Sequence, residues 1–264
     1  MDELGKYLYC VIESHQAVEF GTIGISLPSG QKKRDSSEDR RTKVYTLNHR
    51  GLACCVSDYP SDQMIPASSE NCLAHERVLQ TLMERFTLLP FEFGTVATSG
   101  EGVLKLLSTN FVRLKLALRR LHGKVEVNVK AFWPGLTQVC QGVARDHPVI
   151  AKYKQEIASK PLELTYKDRI VIGEMVASAL NELRKKEGKA ILTALRKVSE
   201  DEDEEMLYGE TMVMNVSFLV KKKEFTRFEA ALNQLGKRYE GRINFKYAGP
   251  LPPYHFTKVS LGGM

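Results

Sequence analysis

The side chains of this chain that could do chemistry are scattered rather than gathered. Its six histidines, His15, His49, His75, His122, His147 and His255, share no recurrent spacing. Two histidines four apart with a glutamate between would hold zinc on one helix face, and no H-E-x-x-H occurs. Cys72 and His75 are three apart on a predicted helix, close enough for a thiol to meet an imidazole. No third group completes a nucleophilic or zinc set around them. The G-x-S-x-G elbow and the phosphate-cradling G-x-G-x-x-G and G-x-x-x-x-G-K-[ST] runs are absent too. "GTIGISLPSG" is rich in glycine but brings no lysine and no helix start. Carboxylates pair only in charge runs such as "EDEDEE" (Glu200–Glu205), where solvent keeps their pKa values ordinary and turn glycines for calcium are lacking. The chemistry implied is that of a protein without catalysis, cofactor or metal. His75, on the apolar face of its helix, reads as a satisfied structural histidine.

Composition is that of an ordinary globular protein. The 264 residues are 43% hydrophobic and 27% charged, enough for one large domain or two medium ones. The net charge of +6 is a mild bias, compatible with nucleic acid or an acidic partner. Much of it sits in "QKKRDSSEDRRTK", read as a charged mobile loop over about 28–43. The five cysteines, Cys10, Cys54, Cys55, Cys72 and Cys140, are odd in number, lack C-x-x-C spacing and fall in apolar runs. They predict reduced thiols and a cytoplasmic setting. The opening "MDELGKYLYCVIES" is not a signal peptide, and no apolar run is long enough to span a membrane.

The elements that must position these residues follow from periodicity. "KYLYCVIES" predicts a buried strand, and "KVYTLNH" with "GLACCVSD" a hairpin turning at Arg50-Gly51. A helix is predicted over 70–86 with Ser69 as N-cap and Cys72, Leu73, Val78, Leu79, Leu82 and Phe86 inward. "LLPFEFGTVA" alternates Phe91, Phe93 and Thr95 with Glu92 and Gly94, as a strand whose start or edge Pro90 marks. An amphipathic helix follows, broken near Asn110 and capped at Gly123. Residues 1–123 thus form an N-terminal α+β domain.

Residues 124–264 begin with "KVEVNVKAFW", where Val125, Val127 and Val129 alternate with Glu126, Asn128 and Lys130. Helices are predicted over 137–146, 148–159 and 166–198, and the acidic run 200–205 reads as a solvated linker. "TMVMNVSFLV" is a strand covered on both faces, "KKKEFTRFEAALNQLGKRYEG" an amphipathic helix, and "RINFKYAG" a closing strand before a proline-rich tail, 249–264. This β-ααα-β-α-β order is a split βαβ arrangement related to the ferredoxin-like plan, with extra helices. The fold class is α+β in two domains. An RNA-binding sheet of that plan is the alternative function, but its aromatic-rich central strand is missing.

Six stretches, in order along the chain, resemble one family: "KYLYCVIES", "HERVL", "LPFEFGTV", "LHGKVEVNVKAFW", "MNVSFLV" and "YAGPLPPYHF". They are similar to the F and L proteins of gas vesicle gene clusters. The resemblance implies a non-enzymatic accessory or minor structural protein, associated with the vesicle in the cytoplasm. It implies binding to the hydrophobic major shell protein and to other co-encoded vesicle proteins, and two α+β domains of which the second is a modified ferredoxin fold. No nucleic acid, membrane or cofactor is expected. The motif residues are the candidate site: His75, Pro90, Phe91, Phe93, Gly94, Thr95, Gly249, Pro250, Pro252, Pro253, Tyr254 and Phe256. In "YAGPLPPYHF", Gly249 is expected to turn the chain and the prolines to hold it extended, so that Tyr254 and Phe256 lie back as a brace between the domains or along the last sheet. A docking strip for another vesicle protein is the other role open to it.

Overall fold

A computed structural model of the chain describes residues 4–27, 41–60, 63–158, 161 and 165–257. They divide into two compact units. One comprises the described residues up to Glu126 together with those from Pro250 onward, the other Val127–Gly249. The tail expected in the second domain therefore groups with the first. Of the loop expected over 28–43, residues 28–40 lie outside the described residues. Its last residues are tied to the segment before it: Ser26 bridges Arg41, and Thr42 is buried with its N–H and hydroxyl both donating to the Ile25 carbonyl.

The first unit is built on β1 (Gly5–Glu13), whose apolar and aromatic run is buried along almost its whole length. β2 (Glu19–Gly21), β3 (Val44–His49) and β4 (Leu52–Tyr59) stand on one side of it, in the order β2-β3-β4-β1. Arg50 and Gly51 both adopt positive φ, 49° and 80°, as a two-residue hairpin loop of the primed type requires. β1 runs antiparallel to β4 from Gly5↔Tyr59 to Glu13↔Leu52, with a bulge between Leu8 and Cys10. On its other side β1 pairs with two short strands, β5 (Leu88–Pro90) and β6 (Val96–Ala97).

The single strand expected over 88–97 is thus interrupted. Phe91 donates its N–H to the Tyr9 carbonyl, Leu8 donates to the Thr95 carbonyl, and the residues between leave the ladder. Gly94, at φ 90°, makes that excursion possible, because a side chain there would be strained. Pro90 lies on an edge strand as expected, at the end of β5 and not at its start, where the missing N–H does no harm.

α1 (Ser69–Met83) covers the sheet. Its N-cap is Ser68, one residue before the expected Ser69, and the Ser68 hydroxyl accepts from the Asn71 N–H. The buried face is Asn71, Ala74, His75, Val78, Leu79 and Leu82, whereas Leu73 is exposed. α2 (Gly100–Thr109) and α3 (Phe111–Leu121) break at Asn110 as expected, and Gly123 follows them at φ 67°.

The second unit contains β7 (Lys124–Phe132, from Val127 on), α4 (Leu136–Asp146), α5 (Pro148–Ala158), α6 (Tyr166–Leu195), β8 (Asp201–Glu204), β9 (Met212–Lys221), α7 (Phe225–Arg238) and β10 (Asn244–Leu251, to Gly249). The sheet order is β10-β7-β9-β8. The acidic linker is corrected here: Asp201–Glu204 is an edge strand, antiparallel to β9 from Asp201↔Leu219 to Glu204↔Val216. Its charge is tolerated because an edge strand keeps one side in water, and Arg196 pairs with Glu202 at 2.6 Å. With this strand the order becomes β-ααα-ββ-α-β, the full ferredoxin-like plan that the expected order lacked. β9 is buried from Met212 to Val220. It shares a core with Trp133, Ile191, Leu195, Phe228, Leu232 and Leu235.

β10 corrects a second expectation. Gly249 has no positive φ, and the strand continues through Pro250 to Leu251. An edge position permits this proline, which has no N–H to offer a neighbour.

Candidate functional site

The strongest polar constellation of the first unit is built where α1 meets β1 and the C-terminal segment. His75 is 1% exposed, placed inward by the helical period that also buries Asn71, Val78 and Leu82. Its Nδ1 lies 2.7 Å from the Tyr7 hydroxyl and its Nε2 lies 3.1 Å from the Tyr254 hydroxyl. Tyr254 donates its one proton to Glu76 Oε1 at 2.8 Å. It can therefore only accept from His75, which fixes the proton of a neutral ring on Nε2. Nδ1 then accepts from Tyr7, whose oxygen receives the Gly94 N–H at 3.4 Å. One directed chain results, from Gly94 through Tyr7, His75 and Tyr254 to the Glu76 carboxylate, with every donor facing an acceptor.

Electrostatics hold this arrangement. Burial pulls the His75 imidazole down to about 4, with a backbone group of Phe91 opposing it, so the ring is neutral at pH 7. Burial, with Glu76 beside it, pushes the Tyr254 phenol far up, and burial does the same to Tyr7. None of Tyr7, His75 and Tyr254 is poised to exchange a proton near neutrality. The rings of Tyr7, Tyr9 and Phe93 surround His75 at 5.6–5.9 Å, Tyr9 stacked and the others edge-on.

The expected site residues are mostly brought together. Pro90, Phe91 and Thr95 line a groove of about 510 Å³ with Tyr254 and His255, so two motifs far apart in sequence meet around one space. Phe91, Pro252, Pro253 and Phe256 are buried, and the Thr95 hydroxyl caps the Glu92 carbonyl at 2.7 Å. The turn expected at Gly249 comes later, where Tyr254 donates its N–H to the Pro252 carbonyl and Thr257 closes on Tyr254. Gly249 and Pro250 stay on β10 and do not join the group.

Periodicity alone missed Tyr7, Glu76 and Glu126. Glu126 alternates with valines as a solvent-facing residue would, yet it is buried, and both its oxygens are taken by His255, through Nδ1 at 2.6 Å and the backbone N–H at 3.0 Å. A histidine directly after the prolines and tyrosine of the tail was the only hint of that pairing.

In the second unit, Trp133 Nε1 donates to the buried Glu187 carboxylate at 2.7 Å, and Arg242 forms an ion pair with the same group. The Arg184 guanidinium lies 5.2 Å over the Trp133 ring. The sheet face that an RNA-binding module of this plan would furnish with aromatics instead joins Asn128, Asn215 and Ser217 to the Glu205 carboxylate. The five cysteines are free thiols. Among the described residues, no three His, Cys, Asp or Glu side chains gather as a metal ion would need, and no helix is long and apolar enough to cross a membrane.

Comparison with known proteins gives a consistent result. The model of the gas vesicle synthesis protein GvpL/GvpF family matches residues 5–258. Gas vesicle protein F of Streptomyces sp. (strain CB03234) is 29% identical over 239 residues, 90% of this chain and 98% of that protein. Gas vesicle protein F of Nostoc sp. (strain PCC 7120) is 26% identical over 220 residues, 82% and 88% of the two chains. The crystal structure of the gas vesicle protein GvpF from Anabaena sp. PCC7120 aligns with a TM-score of 0.82 at 24% identity, covering 98% of this chain and 100% of that one. The corresponding structure from Microcystis aeruginosa gives 0.73 at 22% identity, covering 97% and 100%. These structures share the α+β fold.

Proposed function

The chain belongs to the gas vesicle synthesis protein GvpL/GvpF family, and we propose that it acts in vesicle assembly by binding the hydrophobic major shell protein and other co-encoded vesicle proteins. The family is one of gas vesicle proteins rather than of known enzymes. The observation that carries the reading is the match from residue 5 to residue 258, over both units, with relatives of similar length. The polar chemistry supports a non-enzymatic role. His255, which lines the groove, and His75 are each engaged by a carboxylate or phenol of the fold. Its place is the cytoplasm, in contact with the vesicle or its assembly intermediates. A client whose apolar face aggregates when alone requires a partner that covers that face, and this is what an accessory protein would supply.

Affinity-tagged full-length protein, co-expressed with the major shell protein and with each co-encoded vesicle protein in turn, tests the reading. Recovery of the shell protein through washes at moderate salt, with loss of vesicle yield on deletion, is the expected result. Recovery of none of them, with normal vesicles in the deletion strain, would overturn it.

A further inference from the structure

The acidic run Asp201–Glu204 ends its sheet, and an open edge recruits strands. In the order β10-β7-β9-β8, β8 pairs with β9 alone among the described residues. Glu205 closes the ladder by donating its N–H to the Asn215 carbonyl at 2.9 Å. Alternation along an antiparallel pair then turns the amides of Glu202 and Glu204 away from β9, the Glu202 N–H donating to Asp201 Oδ1 at 3.1 Å and the Glu204 N–H left facing the edge.

The chain beyond the strand is held firmly. The Glu205 carboxylate receives Asn128 Nδ2 at 2.7 Å and the Ser217 hydroxyl at 2.9 Å. The Met206 carbonyl receives Asn215 Nδ2 at 3.0 Å, and the Tyr208 N–H meets the Met212 sulfur at 3.3 Å. This anchored loop presents three consecutive large apolar side chains to water: Met206, Leu207 and Tyr208 are 75%, 42% and 63% exposed. Such a row beside an open edge is what a strand-adding partner would cover.

We propose that β8 and the Met206–Tyr208 loop dock an extended segment of a partner protein, one bearing lysine or arginine opposite Asp201–Glu204 and apolar side chains opposite Met206–Tyr208. Charge selects this occupant. The edge carries four carboxylates against the Arg196 guanidinium, which pairs with Glu202 and lies 4.0 Å from Glu204, so it stays a negative strip on a chain of net charge +6 and attracts a basic strand. A second copy pairing β8 with β8 would set like charges opposite each other, which disfavours that dimer. The main chain supplies affinity and the alternating side chains the choice of partner. The proposal rests on the partner-binding function above and gives it a surface.

The test uses the full chain and a short fluorescent peptide alternating lysine with valine and ending in leucine and phenylalanine, followed by anisotropy. Binding should weaken with rising salt. The same peptide N-methylated at alternate amides, with side chains unchanged, should bind about tenfold more weakly because the edge hydrogen bonds are lost. Glu204→Lys and the double change Leu207→Ser/Tyr208→Ser should each weaken it several-fold while leaving the melting temperature unchanged. Equal binding of the N-methylated peptide, or unaltered binding by both variants, would overturn the proposal. Co-purification separates the two readings. If wild type and both variants all retain the shell protein, the edge assignment fails and the partner-binding function stands. If wild type retains no vesicle protein, the underlying function fails.

Discussion

Replacing Tyr254 by phenylalanine removes one oxygen and leaves the ring that packs under α1. The loss takes the acceptor from His75 Nε2–H and the donor from Glu76 Oε1, now 3.1 and 2.8 Å from that oxygen. His75 is 1% exposed, so its N–H cannot turn to bulk water. An orphaned buried donor costs about 1–3 kcal/mol, and the half-buried position of Tyr254, at the wall of the groove, favours the lower part of that range. About 1–2 kcal/mol corresponds to a fall of about 2–8 °C in the melting temperature of a chain this size. Urea unfolding of wild type, Tyr254→Phe, His75→Leu and the double variant completes a cycle, in which the two positions should couple by about 1 kcal/mol. A loss under about 0.3 kcal/mol, with additive single changes, would refute the idea that this tyrosine closes the first unit. If that outcome came with loss of a vesicle partner, the segment would be a docking strip instead of a brace.

His75 also sets a pH dependence. Its folded value of about 4 lies below the ordinary 6.5, so the unfolded chain takes up the proton first on acidification. The contribution is complete above about pH 6.5 and is lost as pH falls to about 4. It amounts to about 3 kcal/mol at most, and His75→Gln should flatten that part of the urea-midpoint profile. Glycine substitutions should have opposite signs: Gly94→Ala places a side chain at φ 90° and should cost about 1–2 kcal/mol. Gly142→Ala, inside α4 with nothing within 4 Å of the new methyl, should add about 0.5–1 kcal/mol in the same denaturation assay. Arg242→Ala leaves the buried Glu187 carboxylate with the Trp133 indole as its remaining donor. It should destabilise the second unit by about 1–3 kcal/mol, read through the emission of the chain's single tryptophan.

What could be read from the sequence was what depends on local pattern. The hairpin at Arg50-Gly51, the break at Asn110, the turn at Gly123 and the inward positions Val78, Leu79 and Leu82 of α1 all follow from turn chemistry or a 3.6-residue period. The misses share a cause, which is that tertiary surroundings overrode the local signal. Asp201–Glu204 carries a charge density that predicts no element, yet β9 offers it a ladder and Arg196 a counter-charge. Glu126 has the alternation of an exposed residue, yet His255, which follows it by more than a hundred positions in sequence, buries it. Phe91–Thr95 alternates like a strand, and Gly94 lifts it out of the sheet so that its N–H can reach Tyr7. His75 was legible as a structural histidine, but its partners Tyr7 and Tyr254 come from either end of the chain.

This has a consequence for where function should lie. Of the two stretches that most clearly carried the family resemblance, "LPFEFGTV" and "YAGPLPPYHF", Leu89, Pro90, Phe91, Pro252, Pro253 and Phe256 are buried in the first unit, Tyr254 spends its hydroxyl on α1, and Tyr247 stays exposed on β10. Motifs used in that way report that the fold closes correctly. They say little about what the closed fold touches, because a buried ring has no surface left to offer a partner. Contacts with vesicle proteins should accordingly map to residues outside those motifs, where side chains are exposed without a structural reason. The row Met206–Tyr208 beside the open edge of β8 meets that description, held by Asn215 and Met212 and facing water with three large apolar groups. Substitution within the motifs should therefore lower stability and lose partners only in proportion. Substitution at the edge should lose a partner at undiminished stability, and that difference in pattern separates a scaffold residue from a contact.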